Sequence, residues 1–374
     1  MSSPATQTGL QAPVGGGLFR LGFSPELNGL RGVATLAVLA FHADDKTHLQ
    51  GGFIGVDLFF VLSGFLITAL LIQEFDSTES IRLKAFYLRR ALRLGPALLL
   101  LLSAYCVAFV FLLGFPGAGS HLVDALITLF YSANWARAWN LHPPSYLSHA
   151  WSLSIEEQFY ALWPLLLLTM LRKIRSRRMI VLLASGMACS AWGLRVYLKL
   201  AGATNDRLYN GFDTRADAVL VGCVLGILVA SNLAPRSVQG RVSYALSAAS
   251  GLAAVLLGAM SIWAVWNAPV MFYWLYFAIE LLTALIILDC FTNPRSVVKK
   301  VLSWKALVWI GTISYGLYLW HYPVYQVMKH HGYSRSEVVW LGTLITFSIA
   351  TLSYYLLEQP FLKLKKKLAI GSRT

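Results

Sequence analysis

The fold class is decided by the stretch Gly52-Phe53-Ile54-Gly55-Val56-Asp57-Leu58-Phe59-Phe60-Val61-Leu62-Ser63-Gly64-Phe65, whose apolar character continues to Gln73. Asp57 is the one charged side chain between residues 52 and 73. A helix of this length rises roughly 30 Å, which matches the hydrocarbon core of a bilayer. The stretch therefore predicts a transmembrane helix.

The rest of the chain has the same character. Its 374 residues are 57% apolar and 13% charged, about half the charged share of a soluble domain. Such a composition excludes disorder. We count ten apolar spans, at residues 28–43, 52–73, 92–114, 152–171, 179–200, 213–231, 242–262, 270–291, 305–327 and 337–358. The predicted fold class is an all-α polytopic membrane protein of about ten transmembrane helices around a central polar cavity.

The formal charge of +14 is compatible with nucleic-acid binding only if it forms a solvated basic face. Most of the 31 Lys and Arg residues instead fall in alternate loops between spans, as the positive-inside rule requires. We therefore predict no nucleic-acid partner, and a multi-pass protein of the cell inner membrane with both termini cytoplasmic. Residues 116–150 then form an outer loop, in which Leu122 to Trp135 is an interfacial or re-entrant helix.

Two titratable side chains, Arg31 and His42, lie within the first span. Their separation of eleven residues is close to three helical turns, so both are expected on one helix face, roughly 16 Å apart along the axis. Ionisable groups inside a membrane are costly and usually functional. The alternative is that Arg31 is an interfacial anchor and His42 a structural residue.

Further ionisable residues collect at the outer ends of the predicted spans: Asp57, His149, Glu156, Asp213, Asp217 and His321. Their convergence predicts a polar cavity in which histidine supplies acid/base chemistry near neutral pH. No HxxxH or ExxH pair occurs, so no metal site is predicted. Asp57 and Asp213 could instead simply favour helix N-termini. Glu157, three residues after Ser154, is interpreted as part of a capping box, which leaves Glu156 as the functional candidate.

A basic cluster stands at the start of the third span and consists of Arg89, Arg90 and Arg93. Arg90 and Arg93 are three residues apart and share a helix face. Guanidinium groups suit phosphate recognition, although ordinary positive-inside anchoring explains the cluster equally well.

Seven segments resemble, in order, the motifs of the membrane-bound acyltransferase-3 family, the O-acyltransferases of bacterial surface polysaccharides. The resemblance covers about residues 24–367. Its motifs are Leu27 to Ala34 closing at Phe41-His42, Gly52 to Phe65, Arg89 to Pro96, Trp151 to Tyr160, Asp213 to Asp217, Ser314 to His321, and Glu358 to Phe361. It divides the chain into a flexible cytoplasmic tail (1–23), an acyltransferase-3 transmembrane domain (24–367) and a second cytoplasmic tail (368–374).

The resemblance implies transfer of an acyl group, usually acetyl, from cytoplasmic acyl-CoA to a hydroxyl of an extracytoplasmic carbohydrate or glycolipid. It implies His42 as the catalytic base, Arg31 as its essential partner, and Arg90 and Arg93, with Arg89 beside them, as the donor site. Some members carry an extracytoplasmic esterase-like domain. None follows here before Thr374, so acceptor capture is expected to rest on the outer loops.

Several roles stay open. Glu156 or Asp57 could orient His42, and Arg31, Ser63 or a tyrosine could stabilise the oxyanion. Direct transfer and an acyl-histidine intermediate are both compatible with the sequence. Further residues are expected to line the pore or contact substrate: Trp151, Asp213, Arg215, Asp217 and His321. The alternative function is a transporter or flippase, against which the sequence shows no inverted repeat.

Overall fold

The computed structural model describes residues 19–43, 49–112 and 118–363. The two predicted tails, apart from residues 19–23, lie outside the described residues. The described chain is built of sixteen helices: α1 (Pro25–Ala43), α2 (Gly55–Thr78), α3 (Leu83–Cys106), α4 (Ala118–Leu129), α5 (Ala133–Ala138), α6 (Trp151–Lys173), α7 (Arg177–Leu200), α8 (Asn205–Asn210), α9 (Phe212–Ala230), α10 (Gly240–Trp263), α11 (Tyr276–Thr292), α12 (Val297–Leu302), α13 (Lys305–Thr312), α14 (Ser314–His330), α15 (Arg335–Glu337) and α16 (Thr343–Leu352).

Short turns of other helical types extend several of these helices. Two 3₁₀ turns, Gly52–Ile54 and Ser148–Ala150, lead into α2 and α6. Wider π-type turns continue α3 and precede or follow three later helices, at Val107–Leu112, Met271–Leu275, Val338–Gly342 and Ser353–Glu358. Every one of the ten predicted spans falls on a helical segment.

The all-α multi-pass membrane fold is confirmed, but the count of ten is not. Within the described parts of the chain, six helical segments are long and apolar enough to cross a bilayer: Gly52–Thr78, Leu83–Phe109, Arg177–Leu200, Gly240–Trp263, Met271–Thr292 and Arg335–Lys363. The other predicted spans fall on α1, α6, α9 and the pair α13 and α14. Most of these helices carry the charged residues predicted to be functional. Such polar groups inside a bundle lower the mean hydropathy of the helices that present them.

The predicted span 305–327 is divided by the structure at Ile313, between α13 and α14. The apolar run gave no sign of this break. The predicted interfacial or re-entrant helix from Leu122 to Trp135 falls on α4 and α5, of which α4 has twelve residues and rises about 18 Å. Asp124 connects α4 to α3 and to the segment before α6, since its buried carboxylate accepts bonds from Tyr105 and Ser145 at 3.1 Å.

Ion pairs and hydrogen bonds between helix ends show how the helices alternate in direction. The end of α2 meets the end of α6 and the start of α7, through Arg172 with Ser80 and Arg177 with Asp76. At the opposite end of the bundle, the Lys329 ammonium near the end of α14 donates to the carbonyl of His42 at the end of α1. The bundle therefore has two chemically distinct ends: a basic end at the start of α3 and a histidine end at the close of α1.

Helices α2 and α9 approach backbone to backbone at the centre of the bundle. A methyl group added to Gly64 would overlap the carbonyl of Val219, and one added to Gly222 would overlap the carbonyl of Val61. Small residues at helix contacts allow this approach in membranes, where packing rather than water drives association. The α2–α9 contact sets the framework on which the functional side chains are placed.

Candidate active site

A cavity of about 960 Å³ opens at the basic end of the bundle and reaches its middle. Its mouth is lined by Arg82, Arg89 and Glu74, and its inner part by Ser152 and Tyr318. The cavity volume is that of a site for a sizeable small molecule. Between the mouth and the inner part, at the waist of the cavity, the wall is formed by residues that the sequence predicted to be functional: Arg31, Ser63, Arg90, Arg93 and Glu156.

Arg31 and Arg93 are two cations of this cavity that lack an acidic partner. Within the described residues neither forms an ion pair, and the buried Nε of Arg31 has no hydrogen-bond partner. The two guanidinium groups are close enough to repel each other, and the cavity wall offers two compensating carboxylates, Glu156 to both arginines and Glu358 to Arg93. Glu156 itself accepts a 2.8 Å bond from the hydroxyl of Ser63. The cavity wall as a whole has five arginines and three glutamates, and it therefore carries an excess of positive charge suited to an anion.

Arg90 is engaged differently, although it shares a helix face with Arg93. Its Nε donates to both carboxylate oxygens of Glu157 at 2.8 and 2.9 Å, and its guanidinium lies 3.3 Å from the ring centre of Tyr160. The expected capping box of Ser154 and Glu157 is wrong. Helix α6 begins earlier, at Trp151, so Ser154 is inside it and donates to the carbonyl of Ala150.

Arg89 is also paired, since its guanidinium lies 3.4 Å from a carboxylate oxygen of Glu74 at the cavity mouth. Of the three predicted donor-binding arginines, Arg93 is therefore the one that lines the cavity without an ion pair to a described carboxylate. Arg31 on α1 is likewise without an ion pair among the described residues.

Tyr318 closes the inner end of the cavity. Its hydroxyl lies 2.5 Å from the hydroxyl of Ser152 and donates to the carbonyl of His149 at 2.9 Å. The ring centres of Tyr318 and His321 are 5.4 Å apart. Tyr318 thus stands between the cavity that it lines and the histidines beyond it.

Three histidines from three parts of the chain meet beyond Tyr318. The Nε2 atom of His321 lies 3.2 Å from Nδ1 of His42, and the rings of His321 and His149 are centred 5.3 Å apart. The Nδ1 atom of His42 is also 3.1 Å from the carbonyl of Val38. Burial lowers the pKa of His149 well below its usual value, and the neighbouring His321 lowers it further. The predicted convergence of His42, His149 and His321 is therefore observed.

The acidic residues predicted beside these histidines lie elsewhere. Asp57 pairs with Arg215, and both side chains are completely buried between α2 and α9. Asp217 pairs with Arg195 at 2.6 Å, again with neither side chain exposed. Glu156 lies at the cavity waist with Ser63. Among the described residues, Nδ1 of His42 has a carbonyl and a second histidine as neighbours, while Glu156 and Asp57 interact with Ser63 and Arg215.

The buried charges of α2, α7 and α9 form one cluster, to which α11 adds Glu280. No described residue donates a hydrogen bond to either carboxylate oxygen of Glu280, which has no exposed surface. Arg215 also lies over the ring of Tyr276, 4.1 Å from its centre. Arg215 and Asp217, predicted to line a pore, instead belong to this closed cluster.

Two further predicted residues, Asp213 and Trp151, contact neighbouring side chains. Asp213 pairs with Arg207 at the start of α9, where it is partly exposed, which fits the alternative role at a helix N-terminus. Trp151 is buried, with its ring 4.6 Å from that of Tyr209 and 6.1 Å from that of Phe60. Neither residue lines the cavity described above.

The sequence reading missed Arg195, Glu280 and Tyr318 as members of these sites. Arg195 and Glu280 are ionisable residues within apolar runs, the same signal that identified Arg31, and could have been found by it. Tyr318 is polar at only one end, and hydropathy does not distinguish it from the aromatic residues of a lipid-facing helix. No group of three or more potential metal ligands is present among the residues that the structure describes.

Comparison with known proteins identifies the family that the chain resembles. A family model described as an acyltransferase domain matches residues 24–358. A putative peptidoglycan O-acetyltransferase of Bacillus subtilis, YrhL, is 34% identical over 352 residues, which are 90% of this chain and 55% of that protein. The peptidoglycan O-acetyltransferase OatA of Listeria monocytogenes is 34% identical over 357 residues, 91% of this chain and 56% of its own.

Putative O-acetyltransferases of Staphylococcus aureus are 33% identical over 364 residues, 92% of this chain and 58% of theirs. The chain thus spans little more than half the length of these relatives. No solved structure matches it at a significant level.

Proposed function

Because this chain belongs to the acyltransferase-3 family, whose model covers residues 24–358, we propose that it is a membrane O-acetyltransferase. It moves an acetyl group from acetyl-CoA on the cytoplasmic side to a hydroxyl of a carbohydrate on the outer side of the cell membrane. Residues 24–367 form its catalytic transmembrane domain, and both termini are cytoplasmic. The acceptor class follows the names of the relatives, two of which refer to peptidoglycan.

The observation that carries the proposal is the chemical difference between the two ends of the site. One end is a cavity whose wall carries five arginines and three glutamates, and the other is a cluster of histidines behind Tyr318. An enzyme that joins an anionic donor from one side of a membrane to a hydroxyl from the other needs this arrangement, because the polyanionic part of CoA cannot enter the hydrocarbon.

Arg31 and Arg93 hold the phosphates of the donor at the cavity waist. A pantetheine arm has about the length of a four-residue extended peptide, roughly 14 Å. Arg31 and His42 are eleven residues apart on the unbroken helix α1, or roughly 16 Å along its axis. A donor whose phosphate contacts Arg31 therefore brings its thioester close to His42 once Tyr318 moves aside.

His42 is the general base at the thioester. It takes the proton of the acceptor hydroxyl as that oxygen attacks the carbonyl carbon. The axial separation makes Arg31 a donor-binding residue rather than the stabiliser of an oxyanion beside His42. Ser63 is unsuited to that role because it lies at the cavity waist with Glu156 rather than beside the histidines. Tyr318 lies next to both the cavity and the histidines, and its hydroxyl, once released from the carbonyl of His149, is the tyrosine hydroxyl best placed to donate to the oxyanion.

The test uses the purified full chain in lipid nanodiscs with acetyl-CoA labelled in the acetyl group and fragments of peptidoglycan glycan. We expect label in a base-labile ester of the glycan, and its loss in His42→Ala. The matched control is His331→Ala at the exposed end of α14, which should retain activity. Ester formation that is unchanged in His42→Ala would overturn the assignment of the base.

The same preparation tests the transporter alternative. In proteoliposomes with acetyl-CoA outside and glycan fragments inside, an acetyltransferase yields acetylated glycan and free CoA on opposite sides. Passage of unmodified glycan or intact acetyl-CoA across the bilayer, without ester, would replace the proposal by transport.

A further inference from the structure

His321 is in direct contact with the proposed base and is itself completely buried in α14. Its Nδ1 atom faces two carbonyl oxygens, those of Tyr318 at 2.7 Å and Leu317 at 3.2 Å. Its other ring nitrogen, Nε2, faces Nδ1 of His42 at 3.2 Å. Each ring nitrogen of His321 therefore has a defined neighbour.

These neighbours determine where the ring protons lie. A carbonyl oxygen only accepts hydrogen bonds, so Nδ1 of His321 carries the proton. A ring without exposed surface is neutral, because an unpaired charge is costly to bury, and Nε2 of His321 is then an acceptor. The Nδ1 atom of His42 lies between this acceptor and the carbonyl of Val38 at 3.1 Å, so it must carry a proton. In the neutral ring, which is the form that acts as a base, the lone pair of His42 is then on Nε2.

We propose that His321 is the positioning residue that fixes His42 in its Nδ1-protonated form and so presents the lone pair of Nε2 to the acceptor hydroxyl. This inference rests on the function proposed above. Val38 supplies the first acceptor from within α1, and His321 supplies the second from α14. The second acceptor prevents rotation of the His42 ring about its side-chain bonds and strengthens its hydrogen bond when the ring becomes charged.

The reaction then balances as follows. Nε2 of His42 accepts the proton of the acceptor hydroxyl, and the oxygen forms a bond to the acetyl carbonyl carbon. The carbon–sulfur bond of the thioester breaks, and the CoA thiolate takes the proton from Nε2. Throughout, the proton on Nδ1 of His42 stays with His321 and Val38. The products are the acetyl ester and CoA with a free thiol, and His42 is neutral again.

The other polar groups around the pair leave this assignment intact. Tyr322 contacts the His42 ring edge-on, with ring centres 5.1 Å apart, and the Lys329 ammonium donates to the His42 carbonyl rather than to its ring. His149 faces His321 from the start of α6. The charge of Lys329 is the same in every variant considered below.

The first test measures the proton directly and does not require activity. In protein labelled with ¹⁵N-histidine, the His42 signals, identified by their loss in His42→Gln, should show a protonated Nδ1 and an unprotonated Nε2. In His321→Phe we expect a mixture of the two tautomers. In His321→Gln the side-chain carbonyl can replace Nε2 as acceptor, and the wild-type tautomer should return. A wild-type His42 protonated on Nε2 would overturn the proposal.

The second test uses acetyl transfer. His321→Phe should lower kcat about ten- to a hundredfold, the effect of one hydrogen bond to a charged group, with KM for acetyl-CoA unchanged. The acidic limb of the pH profile of kcat/KM should move to lower pH, because the imidazolium of His42 loses an acceptor. His321→Gln should restore the limb and most of the rate.

A packing control is Tyr325→Phe, whose ring contacts His321 while its hydroxyl reaches Thr343 instead. It should behave as wild type in both tests. Equal loss in His321→Phe and His321→Gln, with both proteins eluting as folded monodisperse species, would contradict positioning by hydrogen bonding. Absence of transfer in the wild type together with the expected tautomer would reject the proposed function and leave the histidine geometry standing.

Discussion

Arg215 of α9 donates to the carboxylate of Asp57 of α2, 158 positions earlier in the chain, and neither side chain has exposed surface. A buried ion pair adds little net stability as a pair, but removal of one partner leaves an uncompensated charge in a dry interior. Asp57 is thus better explained as a lock between two central helices than as a partner of His42.

We therefore expect Asp57→Ala to lower the free energy of unfolding by about 3–5 kcal/mol, the cost of stranding a buried charge. The control is Asp213→Ala, which breaks the partly exposed pair with Arg207 and should cost at most about 1 kcal/mol. Thermal unfolding of both variants in the same detergent measures the difference. Equal losses would mean that the Asp57 pair is no more buried than the Asp213 pair.

Arg93 and Arg90, two of the three arginines of α3, should differ in function. Arg93→Ala should weaken acetyl-CoA binding about ten- to a hundredfold, because one charged hydrogen-bond donor to a phosphate is lost. It should change the stability little, since Arg93 forms no ion pair among the described residues and is repelled by Arg31. Titration calorimetry with acetyl-CoA gives the affinity.

Arg90→Ala is the comparison for that experiment. It leaves Glu157 without its bidentate partner, so its main effect should be a lower unfolding temperature, with a smaller change in acetyl-CoA affinity than in Arg93→Ala. A larger affinity loss in Arg90→Ala would transfer the phosphate contact from Arg93 to Arg90.

Gly222 should not tolerate even alanine. A methyl group there meets the Val61 carbonyl of α2, and forcing the helices apart costs about 1–3 kcal/mol or more. Gly251→Ala in α10 is the matched control, because nothing lies within 4 Å of its added methyl group. That variant should be neutral or slightly more stable, since alanine favours a helix over glycine. Unfolding temperatures that coincide would argue against close packing of α2 on α9.

The burial of His149 predicts that the protein becomes less stable as pH falls. Its pKa in the folded protein is depressed by burial, so the folded state holds the neutral ring and the unfolded state takes up a proton first. The stabilisation is complete above the usual value of 6.5 and is lost as pH falls below it, by about 1.4 kcal/mol for each pH unit until the folded ring also titrates.

Unfolding temperatures measured between neutral pH and about pH 5 would show this loss. His149→Gln, which cannot titrate, should flatten part of the dependence, while the exposed control His331→Gln should leave the wild-type slope unchanged. A slope that is identical in all three proteins would assign the acid sensitivity to other groups.

Hydropathy was enough to predict the six described helical segments that are long and apolar enough to cross a bilayer, because a long apolar run has few alternatives to a helix in lipid. It failed at Ile313, where α13 and α14 separate within one apolar run, since local composition carries no record of the packing that divides them. It also misplaced the start of α6 by a few residues, and that error turned Glu157 into an apparent cap.

The pairing of side chains from different helices could not be predicted from the sequence. Arg90 and Glu157 are 67 positions apart, Asp57 and Arg215 are 158 apart, and His42 and His321 are 279 apart. Spacing on one helix predicted that Arg31 and His42 share a face, because helical geometry is local. Which helices lie next to each other depends on the whole bundle, and so the sequence could identify ionisable residues within the apolar spans but could not pair Asp57 with Arg215.

The lock between Asp57 and Arg215 also sets an order of events during synthesis. Ribosomes add about 5–20 residues each second, so α2 exists for roughly 10–30 s before the residue that neutralises its carboxylate has been made. During that interval Asp57 must stay in water, in the translocation machinery or in its protonated form. The apolar helix that decides the fold class is therefore among the first to be made, yet it cannot reach its final environment until α9 has followed it into the bilayer.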